Sequence, residues 1–172
     1  MPSKRIINIS GRIWKFGDNI DTDIIMPVKY LSLSSIGEMS QYAFEPLIPD
    51  FHTKIQPGDI LVGGENWGCG SSREQAAAVL KILQIGAVIA KSFARIFYRN
   101  AFTNGLCLIG QPGLVDSVKD GDKICIDLIN STIQIDNQST TYNFSPLSSM
   151  MYDLLNAGGL IPYMQKVNSP NR

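Results

Sequence analysis

Histidine, cysteine and net charge are all scarce in this sequence, and each shortage excludes a class of function. The 172 residues carry 15 basic and 15 acidic side chains, so the formal net charge is zero. A nucleic-acid or membrane-surface protein needs a basic excess or stripe, which this balance does not supply. No apolar run approaches the ~18–20 residues that span a bilayer. The opening "MPSKRIINIS" has neither the long apolar centre nor the small-residue cleavage site of a signal peptide, so the chain is expected to be cytoplasmic. Its three cysteines, Cys69, Cys107 and Cys125, are odd in number and far apart. They form no CxxC and no zinc-type spacing, which argues against a disulfide framework and against a self-contained metal site. Cys107 and Cys125 lie in apolar, strand-like runs and read as small core residues. The one histidine, His52, sits in the polar stretch "IPDFHTKIQPGD" and reads as a surface residue.

What the chain has is an ordinary globular composition, 44% hydrophobic and 17% charged, in a length suited to a single domain over residues 1–172. Residues 11–17, "GRIWKFG", alternate like a strand and run into the Asp- and Asn-rich loop "GDNIDTDII". Residues 24–35 read as an irregular connection, and "IGEMSQYAFEPL" as a short helix stopping near Pro46. From 57 to 110 the pattern is strand, glycine loop, helix (72–86, stopped by Gly86), strand, helix (stopped by Gly105), strand. That is the signature of parallel α/β structure. Turns at "NS" and "NQS" then break residues 122–144 into antiparallel hairpins. A C-terminal helix follows, with Ser145 as cap, Pro146 in its first turn and Gly158–Gly159 as its end. Residues 166–172 read as a frayed tail.

The glycine loop "GGENWGCGSSREQ" carries the chemistry. A strand–loop–helix unit gathers free backbone N–H groups and the positive end of a helix dipole, so it suits an anion. A P-loop would need a lysine after Gly70. A dinucleotide fingerprint would need glycine where Arg73 stands, and a nucleophile elbow needs glycines that flank neither Ser71 nor Ser72. What remains is a small anion with chemistry beside it. Arg73 can pair bidentately with a carboxylate, and a serine alkoxide becomes more accessible among N–H groups and an arginine. The alternative is that Ser71 only caps the helix and that Arg73 and Glu74 are solvated.

"GCGSSRE", "AVIAKSFARIFYRNAFTNGL" and the earlier "WKFGDNIDTDIIMPVKYL", in that order, resemble the swivelling domain of the aconitase superfamily. More narrowly, they resemble its small subunits of the 3-isopropylmalate dehydratase and homoaconitase type. The resemblance implies an α/β fold, a swivelling β/β/α domain with a central parallel or mixed sheet, flanking helices and C-terminal antiparallel strands. It implies a hydro-lyase that is active only with a large subunit. That partner would hold a [4Fe–4S] cluster, while this chain would bind no metal or cofactor of its own. Carried over by position, Ser71 would be the general base. Arg73 would clamp a substrate carboxylate, with Ser72, Gly70 and Asp23 also at the substrate, the last in a less defined role.

Substrate choice would lie in the loop Lys29, Tyr30, Leu31, Ser32, Leu33. Ser32 stands where enzymes taking a third carboxylate tend to have arginine. That favours an isopropyl group, which gains from apolar contact, and hence leucine biosynthesis. Lys29 and Gln75, the latter expected to brace the loop, keep a homoaconitase-type or other 2-hydroxy-acid hydro-lyase, such as a dimethylmalate dehydratase, as an alternative. A stand-alone carboxylate-binding module is the non-enzyme reading. Self-association of the isolated chain stays open. The loop at 29–37 is expected to be mobile, because its Ser-rich tip has little to bury.

Overall fold

The structure, a computed structural model, describes residues 8–136 and 138–168. A seven-stranded mixed sheet in the order β4-β3-β2-β1-β5-β6-β7 organises the chain. Strands β1 (Asn8–Lys15), β2 (Ile60–Gly63), β3 (Ala87–Ala90) and β4 (Cys107–Gly110) run parallel. Strands β5 (Lys123–Asp127), β6 (Thr132–Ile135) and β7 (Thr141–Asn143) continue the other edge antiparallel. β1 serves both halves. Its first residues, Asn8 to Arg12, pair with β5, and Ile13 to Lys15 pair with β2. β2 and β3 are buried at every position, as continuous apolar runs in a parallel sheet should be.

The helices between parallel strands move stepwise in one direction along the sheet, so right-handed crossovers place them on one face. Among them, α4 (Glu74–Ile82) and α5 (Arg95–Thr103) pack on each other. Before them come α1 (Thr22–Ile25), a 3₁₀ turn at Val28–Tyr30, α2 (Ile36–Ser40) and α3 (Phe51–Lys54). Then follow α6 (Pro112–Ser117), α7 (Ser149–Ala157) and α8 (Leu160–Asn168). No helix of the described residues is long and apolar enough to cross a membrane.

Several expectations need correction. The loop "GDNIDTDII" contains α1, a single turn capped by Asp21, whose carboxylate accepts the Ile24 N–H at 2.8 Å. The helix expected over 72–86 is shorter. It begins at Glu74, and the left-handed residue beyond its end is Gln84 (φ 58°) rather than Gly86. The cap of α7 is Ser148, whose hydroxyl accepts the Met151 N–H, so Ser145 and Pro146 stay outside the helix. Gly158 does end α7 in the left-handed conformation (φ 89°). The chain then turns at once into α8, so residues 166–168 are helical. The rest of the expected tail, 169–172, lies outside the described residues. His52 is half-buried in α3, and its Nδ1 has no hydrogen-bond partner among the described residues. Cys107 is a core residue as expected, whereas Cys125 is only half-buried.

Candidate functional site

Parallel strands point their C-terminal ends the same way, so the loops that follow β1, β2 and β3 meet at one edge of the sheet, where open α/β proteins gather their sites. Here backbone hydrogen bonds lace the loops together. The loop after β1 binds the glycine loop through Gly64 N–H to Gly17 O (2.9 Å), Asn19 N–H to Glu65 O (2.8 Å) and Gly68 N–H to Ile20 O (2.7 Å). Thr22 N–H to Cys69 O (2.9 Å) continues the ladder. On the other side, Trp67 N–H donates to Ser92 O (3.0 Å) and Ala94 N–H to Trp67 O (2.9 Å). The two distant sequence motifs around "DNIDTD" and "GENWGCGSS" are thus one structural unit. Trp67, fully buried among Phe16 and Phe44, anchors it from below.

Ser71 emerges from this clamp. Its N–H donates to Oγ1 of the buried Thr22 at 3.1 Å, while its hydroxyl makes no hydrogen bond among the described residues. Gly70 before it is left-handed (φ 94°), a conformation that turns the chain outward here and that other residues rarely adopt. The capping alternative fails. Helix α4 starts beyond Ser71 and Ser72, with Arg73 at the cap position and no side-chain cap bond.

Arg73 is not solvated either. Its side chain is only 17% exposed and reaches back to α1, donating through Nη1 to Asp23 Oδ1 at 2.5 Å and to Met26 O at 3.4 Å. The Arg73 hydrogen bond holds the Asp23 carboxyl below its usual range, against the opposing effect of burial. One Nη is therefore committed. The Nε and second Nη, a pair of donors suited to a carboxylate, make no hydrogen bond among the described residues. Ser72 is exposed and its carbonyl accepts from Asn100 Nδ2 at 3.4 Å. Gln75 lies half-buried on α4, and its side chain forms no hydrogen bond to the loop among the described residues, contrary to the bracing role expected for it.

The loop expected to choose the substrate is more built than its serines suggested. Tyr30 stacks on Tyr42 (3.8 Å, 13°) and donates its hydroxyl to Glu45 at 2.6 Å, while Lys29 pairs with Glu45 at 2.8 Å. Leu31, Leu33 and Ile36 are half-buried and pack against the core, so the premise that this tip has little to bury does not hold. Ser32 is exposed.

Three site features escaped the sequence reading: Thr22, Arg95 and Arg99. A cavity of about 360 Å³ opens beside Ser71, lined by Gly68, Gly70, Ala94, Ile96 and the two arginines. Thr22 gave no signal of its own.

The cysteines do not assemble. Among the described residues no three His, Cys, Asp or Glu side chains converge as a metal would require. Burial pushes the Cys107 thiol up to about 12. Burial, and then the charge of Asp21, raises Cys69. The three positions do not fit the thiolate set of an iron–sulfur cluster.

Comparison with known proteins identifies the family. Residues 18–112 match the family described as the Aconitase C-terminal domain. The chain is 49% identical over 159 residues to the 3-isopropylmalate dehydratase small subunit of Lachnospira eligens, covering 92% of this chain and 95% of that protein. It is 46% identical over 158 residues to the isopropylmalate/citramalate isomerase small subunit of Methanocaldococcus jannaschii, covering 92% and 94% respectively. The crystal structure of 3-isopropylmalate dehydratase from Methanocaldococcus jannaschii matches with a TM-score of 0.87 at 44% identity, over 94% of this chain and 95% of that one. The chain belongs to the aconitase C-terminal domain family, among the small subunits of 3-isopropylmalate dehydratase.

Proposed function

We propose that this chain is the small subunit of a 3-isopropylmalate dehydratase, interconverting 2- and 3-isopropylmalate in leucine biosynthesis in the cytoplasm, and that it works only in complex with a large subunit. The observation that carries the reading is the state of Ser71: amide pinned by Thr22, hydroxyl uncommitted, facing a cavity with arginines in its wall. The reaction removes a hydrogen from one carbon and a hydroxyl from its neighbour as water, then returns water with the two positions exchanged. Ser71 takes and returns the carbon-bound proton. Nearby positive charge lowers the cost of its alkoxide. Arg73, oriented by Asp23, holds one substrate carboxylate, with Ser72 and Gly70 contributing to the surrounding surface. A [4Fe–4S] cluster would be held by the large subunit and would supply a Lewis acid for the departing hydroxyl; the three cysteines of this chain do not converge as ligands among the described residues.

Preference for an isopropyl group over a third carboxylate follows from the substrate loop. Ser32 offers no charge there, and Lys29, the one cation of the loop, is paired with Glu45. A third carboxylate would meet no free positive charge from this segment, and an unpaired carboxylate in a closed site is costly.

The test is Ser71→Ala in the complex with its large subunit. Turnover should fall by ~10²–10⁴, the range of a lost general base, while subunit association stays unchanged. Parallel loss of activity and association would reduce Ser71 to a structural role.

A further inference from the structure

A second cavity, of about 250 Å³, lies where the parallel strands begin, at the opposite end of the sheet from Ser71. Its walls are apolar and come from separate elements: Ile9 of β1, Ile85 before β3, Cys107 at the start of β4, Leu128 after β5 and Leu155 of α7. Apolar walls forfeit packing wherever nothing fills the space between them. Lys81 and Gln84 stand among these residues, and none of the described residues lining the cavity is acidic.

Lys81 sits in the last turn of α4, where the negative end of the helix dipole favours a cation. A lysine extended into solvent would serve the dipole as well. Lys81 instead is half-buried, and its Nζ donates to the Gly105 carbonyl at 2.9 Å. That anchor is firm, since the chain at Gly105 is wedged against the α7–α8 turn: a Cβ there would meet the Gly158 carbonyl carbon at 2.6 Å. Lys81 also borders a neighbouring cavity that contains Glu74. Gly105 lines the first cavity and not that one, so the ammonium is held on the first cavity's side. An ammonium has three donors. One is used, and among the described residues Lys81 makes no ion pair and no further hydrogen bond. Burial pushes its pKa down, whereas Lys29 and Lys91, each beside a carboxylate, are pushed up. Lys81 is thus desolvated without a counter-charge. Gln84 adds a second polar group. Its backbone is left-handed (φ 58°), at a place after a helix where glycine is common, and its side chain makes no hydrogen bond among the described residues.

We propose that this cavity binds a short aliphatic monocarboxylate, its carboxylate on Lys81 beside Gln84 and its tail among Ile9, Leu128 and Leu155. Charge balance selects that class. A zwitterionic amino acid would bring an ammonium that no acidic side chain of the cavity can meet. A dicarboxylate or a phosphate would set a second charge against apolar walls. The volume is below that of sites for drug-sized ligands, so the tail is short. The site is separate from the glycine loop, and the inference does not rest on the dehydratase reading.

The test is titration of the full chain with 4-methylpentanoate, followed by methyl NMR, with affinities from calorimetry. Saturable shifts are expected at the methyls of Ile85, Leu128 and Leu155, and none at the Ser71 amide. Neutral 4-methylpentanamide should bind roughly tenfold more weakly or worse, through loss of the charge on Lys81. Acetate, which lacks the tail, should lose at least as much. Lys81→Gln keeps a donor for the Gly105 carbonyl and should weaken binding of 4-methylpentanoate by roughly tenfold or more. The comparison of probes uses the wild type alone, so the proposal stays testable if that variant does not fold. Absence of saturable shifts overturns it. So does affinity for the amide or for acetate equal to that for 4-methylpentanoate, or undiminished affinity in Lys81→Gln. Shifts confined to the surroundings of Ser71 overturn it as well, by placing the carboxylate at the glycine loop.

Discussion

Thr22 shows how little of a site need touch substrate. It is buried within α1, and its hydroxyl oxygen is the fixed point that holds the Ser71 amide. Valine has nearly the same shape without the acceptor. Because Ser71 is exposed, water can take over its N–H, and Thr22→Val should cost only about 1 kcal/mol of stability. Activity should suffer more. A small displacement of a reacting group has a steep effect on rate, and kcat is expected to drop roughly tenfold or more. Thr22→Ser keeps the oxygen and should restore most of it. If kcat in the valine variant merely tracks its loss of Tm, Thr22 is a core residue and not a positioning one.

At the scale of elements, the glycine loop and α5 behave as one piece, and Gly68 is where they touch. Gly68→Ala meets two penalties, a left-handed φ of 79° and a Cβ overlapping Phe97. Together these should destabilise the protein by about 2–4 kcal/mol. Gly121→Ala separates the two, since Gly121 shares a positive φ (86°) with nothing within 4 Å of the added carbon. Urea unfolding should show Gly121→Ala losing the smaller amount. Equal losses would mean that backbone strain alone accounts for Gly68. The same contact explains what could and could not be seen in the sequence. Strands β2 to β4 and helices α4 and α5 announced themselves through apolar runs and small-residue periodicity. Helices α1, α3 and α6 did not, because four- to six-residue helices are set by caps and tertiary contacts rather than by periodicity. Helix α8 was hidden behind Gly158–Gly159, a pair that ends one helix and immediately precedes the next. Ser71, Arg73 and Asp23 were legible as motif residues. The ladder that joins their loops was not, since backbone hydrogen bonds leave no residue-type signature. Arg95 and Arg99 were visible yet read as ordinary helix content.

At the scale of the whole molecule, β1 joins a parallel half that carries the site to an antiparallel half that does not, and one buried carboxylate secures the joint. Asp59, just before β2, accepts through Oδ2 from Arg12 (2.9 Å) and Trp14 (2.7 Å), both on β1, and from the Gln56 N–H (3.0 Å). Burial alone would raise its pKa. The Arg12 bond and charge, with the Gln56 and Trp14 donors, outweigh that and hold it below the usual carboxylate range. A depressed folded-state pKa stabilises the protein above the unfolded value of ~3.9 and loses that increment as pH falls through the folded one. Asp59→Asn removes the charge and leaves Arg12 unpaired, at an expected cost of about 2 kcal/mol near neutrality. Urea midpoints measured from about pH 7 down to about pH 3 should show the wild type and variant converging as Asp59 begins to bind a proton. A gap that stays constant over that range would mean that the amide's altered hydrogen bonding, and not the lost charge, sets the cost. The junction between the two halves would then be held by β-ladder pairing alone.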